Sequence, residues 1–209
     1  MNANEKLLGR RQFIRNSTLV AVSISLPGFV SCKEKTEILP DEEDCVTTDD
    51  ILGPFYKAGA PFREDIIPLG NTGVPLFVEG KVFTGCDTVL NDAVVEIWNA
   101  DDDGAYDTSD EFRFRGRYKT EADGIYRFKT IIPGRYLNGA TFRPSHIHFR
   151  ITAPVHQELI SQIYFKDDPF IAGDPWAGSS KATERILTIG QDVYGTDTVN
   201  FNIYLTPVK

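Results

Sequence analysis

Ser145-His146-Ile147-His148-Phe149-Arg150-Ile151 alternates without a break, with Ile147, Phe149 and Ile151 apolar and polar residues at every position between. Successive side chains of a β-strand point to opposite faces, so this pattern predicts a strand with one face on a core. The same geometry puts both imidazoles on the other face, side by side on rigid backbone. Two neutral imidazoles held that way are half of a metal site. For an arbitrary His-x-His pair a polar strand face is the commoner outcome, so the neighbourhood has to decide.

Outward from that strand, short runs rich in Val, Ile, Phe and Tyr recur at 76–84, 93–99, 115–120, 125–132, 159–166 and 198–206. Turn signals separate them, among them Asp103-Gly104, Asp123-Gly124 and Pro133-Gly134. Helical periodicity is weak, with Lys181 to Leu187 the best stretch. Several short strands at this spacing predict an all-β sandwich or barrel with little helix. The domain is expected over 51–209. At 41% hydrophobic and 25% charged, the 209-residue chain has the composition of a soluble protein with one good core. Its net charge of −8 gives phosphate backbones little to hold, which argues against nucleic acid as a partner.

The first thirty residues differ in kind. Arg10-Arg11-Gln12-Phe13-Ile14-Arg15 is followed by an apolar stretch from Leu19 to Val30, too short and interrupted for a comfortable membrane span. Residues 1–31 therefore read as an export signal, and the paired arginines resemble the twin-arginine type that carries folded proteins. Phe29-Val30-Ser31-Cys32 resembles a lipoprotein box, with Cys32 as the lipidated residue. Residues 32–50 read as a polar tether, so the domain is expected in the periplasm or at the cell surface on a lipid anchor. Losing the leader removes Lys6, Arg10, Arg11 and Arg15 but only Glu5, leaving a more acidic body. If Cys32 is lipidated, Cys45 and Cys86 remain as a candidate disulfide in an oxidising compartment.

The other half of a metal site has to come from elsewhere. A cupin would place a glutamate four or five residues after its second histidine, where this chain has Thr152 and Ala153, and no HExxH or Cys/His cluster suggests zinc. Tyr106 ends the turn Asp101-Asp102-Asp103-Gly104-Ala105, and Tyr136 follows Pro133-Gly134-Arg135. A phenol has a free pKa near ~10 and ionises at neutral pH only on a strongly Lewis-acidic ion, which points to iron(III). The Asp triplet lacks the later acidic positions of a calcium loop and reads as a solvated turn. His156, after Pro154, reads as a solvated loop residue.

With both tyrosines in place the chain resembles the intradiol ring-cleavage dioxygenases, the family of catechol, hydroxyquinol and protocatechuate dioxygenases. The matching segments are Gly53-Pro54-Phe55-Tyr56, Val95-Glu96-Ile97-Trp98-Asn99-Ala100-Asp101, Gly104-Ala105-Tyr106, Phe114-Arg115-Gly116-Arg117, Gly124-Ile125-Tyr126-Arg127-Phe128, Thr130-Ile131-Ile132-Pro133, Arg143-Pro144-Ser145-His146-Ile147-His148-Phe149 and Gln162-Ile163-Tyr164-Phe165. The resemblance implies a β-sandwich of that family's type and a non-haem iron(III) held by Tyr106, Tyr136, His146 and His148. It implies cleavage of a catechol-type ring with O2 between the hydroxyl-bearing carbons, giving a muconate-type dicarboxylate. Tyr136 would leave the metal as substrate binds and take up a proton, while Arg143 and Gln162 would stabilise the developing charge. Phe55, Tyr56 and Arg143 are the expected substrate contacts. A β-sandwich that binds aromatic compounds without turnover is the competing reading. The stretch between Tyr136 and His146 is short, as in protocatechuate-type and secreted members, and the dimerising helical region of the bacterial catechol enzymes has no counterpart. The particular catechol and any oligomer stay open.

Overall fold

A computed structural model describes residues 45–209. The export signal, Cys32 and most of the tether lie outside the described residues. Among the described residues thirteen strands occur in chain order: β1 (Pro75–Thr84), β2 (Thr88–Val89), β3 (Val94–Trp98), β4 (Arg115–Lys119), β5 (Ile125–Ile131), β6 (Tyr136–Asn138) and β7 (Thr141–Arg143). They continue as β8 (His146–Thr152), β9 (Leu159–Phe165), β10 (Ile186–Leu187), β11 (Gly190–Gln191), β12 (Asp197–Asn200) and β13 (Ile203–Leu205). The only helix among the described residues is 3-10, at Ile171–Gly173 and Ser180–Arg185. The protein is all-β.

Two sheets make the sandwich. In one, β1 pairs with β5 over Pro75 to Lys81 and with β2 at Phe83 and Thr84 and, on its other edge, with β12 and then β13. In the other, the order is β10-β9-β8-β3-β4. The core between them holds Leu76, Val78 and Val82 of β1, Val95 and Ile97 of β3, Phe128 of β5, and Ile147, Phe149 and Ile151 of β8. The alternation of residues 145–151 thus resolves as expected, with its apolar half in the core.

The polar half does not face solvent. Cross-strand registry sets Trp98, His148 and Gln162 in one row across β3, β8 and β9, with His146 and Tyr164 in the next row. All five are buried beneath loops and the N-terminal strap. That burial is what turns a strand face into a site.

Three expectations need correction. The run 198–206 is two strands, not one, because the chain breaks step at Phe201-Asn202. There the Asn202 side chain, instead of a backbone carbonyl, accepts the Lys81 N–H at 3.0 Å, and the Phe201 carbonyl takes the Tyr126 hydroxyl. Lys181–Leu187 is a 3-10 segment capped by Ser179 that passes into β10, too short to close α-helical turns. The tether ends before residue 50. Cys45 is bonded to Cys86, and the strap that follows is held down by Thr47 N–H to Tyr204 O (3.1 Å), Asp50 N–H to Ile160 O (2.8 Å) and a buried Asp50–Arg185 ion pair (2.6 Å).

Candidate metal centre

His146 and His148 project from β8 into the covered space, and each ring is fixed from behind. The Nδ1–H of His146 donates to the Pro144 carbonyl at 2.6 Å, which leaves Nε2 with its lone pair free. His148 is stacked on Trp98 with centroids 4.8 Å apart, and the strap passes its other side, where a Cβ on Gly53 would sit 3.1 Å from Cε1. Gly53 also has φ +73, a conformation that favours glycine.

Tyr106 arrives on a different turn. Asp101 closes that turn by accepting from the N–H groups of Asp103 (3.1 Å) and Ala105 (2.8 Å), so the aspartates cap backbone. The Tyr106 oxygen stands 3.2 Å from His146 Nε2 and 3.1 Å from His148 Nε2. Tyr136, at the start of β6, places its ring 5.6 Å from Tyr106 and 5.6 Å from His146. The two tyrosine turns touch through glycines. Gly134 N–H donates to Asp101 O at 2.7 Å, and a Cβ on Gly104 would collide with the Arg135 carbonyl, as one on Gly134 would with Asp102.

Among the described residues no three His, Cys, Asp or Glu gather around one point, so any metal here needs the phenols. The donor spacing fits one. A metal–donor distance of about 2 Å with near-right angles sets neighbouring donors about 3 Å apart, the spacing of the Tyr106 oxygen from both imidazoles. Electrostatics agrees. Burial, with Arg143 adding, pushes His146 down to about 4, and burial, with His146 adding, drives His148 well below its usual value. Both imidazoles are neutral at pH 7, the form that a metal ion would need. Burial, reinforced by Tyr136, raises the Tyr106 phenol well above its ordinary range despite Arg143 and Arg115 nearby. Only a strong cation would ionise it.

Arg143, from β7, is 2% exposed and lies beside this set, opposite Tyr136 in the β6–β7 hairpin. Gln162 is buried next to His148, but its amide is engaged: Nε2 donates to Ile51 O at 2.7 Å, and Oε1 lies 3.2 Å from the Tyr164 hydroxyl oxygen. Phe55 stacks on Tyr106 at 4.3 Å and meets Tyr136 edge-on at 5.8 Å, covering the site. Tyr56 sits one layer back, on Trp98 (5.1 Å) with its hydroxyl on Glu96 (3.2 Å). His156 is not free in solvent; its Nε2 meets Thr84 Oγ1 at 2.9 Å. A cleft of about 290 Å³ borders the outer side of Tyr106, yet neither imidazole lines it.

Sequence reading missed Trp98 as the backing of His148, and also Asp174, Tyr164 and Asp50 around Arg143. Trp98 had a signal, since it stands in register with the histidine strand in a segment already noted. Tyr164 had one as well, two residues after Gln162 on β9 and in register with His146, but Asp174 and Asp50 had none, because the loop after a 3-10 turn and a strap carry no period.

A family model described as Dioxygenase matches residues 51–207. The chain is 28% identical to a chlorocatechol 1,2-dioxygenase of Cupriavidus pinatubonensis over 78% of this chain and 71% of that one. It is 33% identical to a 6-chlorohydroxyquinol 1,2-dioxygenase of the same organism, over 79% and 66%. In three dimensions it resembles the dioxygenase domain of a dioxygenase carbohydrate-binding protein fusion from Streptomyces sp. SirexAA-E, with TM-score 0.68 and 31% identity, covering 78% of this chain and 99% of that one.

Proposed function

Because this chain belongs to the intradiol ring-cleavage dioxygenase family, we propose that it binds iron(III) through Tyr106, Tyr136, His146 and His148 and opens a catechol-type ring between its hydroxyl-bearing carbons with O2. The observation that carries the reading is the placing of the Tyr106 oxygen within 3.2 Å of both imidazole nitrogens. Iron(III) bound there would supply the Lewis acidity that ionises the phenols and the catechol and makes the ring reactive toward dioxygen.

The protein's own groups divide the remaining work. His146, His148 and Tyr106 are held by Pro144, Trp98 and Phe55, so they form the fixed part of the set. Tyr136 stands on a short hairpin, half-buried, with Leu137 exposed beside it. It is the residue free to swing away and accept a proton at its oxygen as the diol enters. Arg143 supplies a buried positive charge beside that space, where it can stabilise negative charge developing on the ring. Phe55 restricts water at the mouth.

The substrates for which these relatives are named share a vicinal diol on a benzene ring, so that diol is the proposed substrate feature. Export by the Arg10-Arg11 signal, with lipid attachment at Cys32, is proposed for its location. The test is a visible spectrum with metal analysis, then O2 uptake with catechol, hydroxyquinol and protocatechuate in turn. A tyrosinate-to-iron charge-transfer band, stoichiometric iron and uptake on one of the three are expected. Iron-loaded protein that takes up no O2 on any of them would favour binding without turnover, and colourless protein holding zinc would sink the iron assignment.

A further inference from the structure

Arg143 is gripped on three sides. Asp174 accepts from Nε at 2.8 Å and from Nη2 at 3.3 Å, a side-on fork between two groups each 2% exposed. The Tyr164 oxygen accepts a second bond from Nη2 at 3.2 Å. Trp176 lies under the guanidinium plane at 4.5 Å. Nη1 alone has no partner, although it is fully buried. In a planar guanidinium Nη1 points directly away from the fork formed by Nε and Nη2. Whichever nitrogen meets substrate is therefore decided by where Asp174 stands.

Asp174 is itself fixed. Its Oδ1 also accepts the N–H groups of Trp176 (3.0 Å) and Ala177 (2.8 Å), so the carboxylate is nailed to the turn after Ile171–Gly173. On the other side, Tyr164 donates to Asp50 at 2.9 Å, and Asp50 is paired with Arg185. A buried ion pair adds little to net stability, since desolvation cancels most of the attraction. A pair this completely bonded, beside a donor left unpaired, is better explained by orientation.

We propose that Asp174 is a positioning residue for the ring-cleavage reaction, with Tyr164 as its second arm, and that the two fix Arg143 so that Nη1 alone is presented to the anionic substrate. The proposal rests on the ring-cleavage reading, but its first test does not. Without the Asp174 carboxylate the guanidinium can turn, and its charge is no longer aimed at the ring.

The intact chain, free of iron, is labelled with 15N-arginine, and Arg143→Lys identifies the Arg143 Nε–H signal. That proton should exchange slowly in the wild type and at least about tenfold faster in Asp174→Asn, once its charge-assisted bond is gone. Equal exchange rates overturn the proposal, whatever the protein does with catechol. In the iron-loaded protein, Asp174→Asn should keep iron and colour, hold KM within about twofold, and lose about tenfold or more in kcat per bound iron. Asp174→Glu should recover part of that loss. Where Asp174→Asn does not fold, Tyr164→Phe decides both measurements, with faster exchange and a severalfold lower kcat at unchanged KM. Wild-type kcat per iron in the folded variants would reduce the clamp to a structural pair. Absence of O2 uptake by the wild type would instead count against the ring-cleavage reading, leaving exchange to judge the clamp.

Discussion

Tyr106 is the side chain on which the most contacts of the site converge, since its oxygen meets both imidazoles and its ring lies against Phe55. Tyr106→Phe and His146→Ala are expected to leave the protein folded but with most of its iron lost on gel filtration, each removing a fixed ligand. Tyr136→Phe should retain more iron and still turn over slowly, and equal metal content in all three would contradict the division of labour. Asp174 offers a pH test. Burial alone would raise its carboxyl, but the hydrogen bonds from Arg143 and the backbone hold it below the usual carboxylate value. A lowered folded pKa gives stability that is complete above the unfolded value of about 4 and disappears as pH falls through the folded one. Urea unfolding across pH should find Asp174→Asn less stable at pH 7, with the two curves converging in acid; parallel curves would show the pair contributes nothing. Of the four proposed donors, the histidines were legible as a pair because strand alternation aligns them, whereas the tyrosines, each in a turn, were singled out by the family resemblance. Asp174 was not, because its partner is 31 residues distant and the turn between them follows no repeat.

At the scale of elements, the site depends on two turns lying almost backbone to backbone. Gly104, with φ +84, rests on the Arg135 carbonyl, and Gly134 rests on Asp102. No side chain fits at either place, so the glycines set the distance between the tyrosine ligands as well as the shape of each turn. Gly134→Ala is expected to pull the turns apart, lowering iron content severalfold while the circular-dichroism spectrum of the β-sheets stays as in the wild type. Unchanged iron in that variant would mean the tyrosines are placed by other contacts. Strands β1, β5 and β8 were readable from the sequence because their residues alternate between core and outer faces, and β3 and β9 because they are dense in Val, Ile, Leu and aromatic residues. Two-residue strands such as β2 and β11 exist only through their partners, and no local pattern could announce them.

For the whole molecule, the disulfide between Cys45 and Cys86, 41 residues apart, anchors the strap that carries Asp50 and Gly53 to the site. Replacing both cysteines by serine should cost roughly 2–4 kcal/mol, seen as a lower unfolding midpoint in denaturant under oxidising conditions, and no shift at all would mean the thiols are unpaired in the native protein. Replacing Arg10 and Arg11 with lysine should strand folded, iron-loaded protein in the cytoplasm, and undiminished export would point to the unfolded-chain route. The pairing of β1 with the last two strands bears on that choice. Leu76 is in register with Asp197 and Thr84 with Leu205, so the first long strand of the domain is left without its parallel edge until residues more than a hundred positions later have been made. Such distant pairing is slow to form, because a long loop must close before any contact rewards it. The proposed leader would thus be synthesised well before the sheet can close. On the proposed export route, a machinery that waits for a folded cargo would in practice be waiting for β12 and β13.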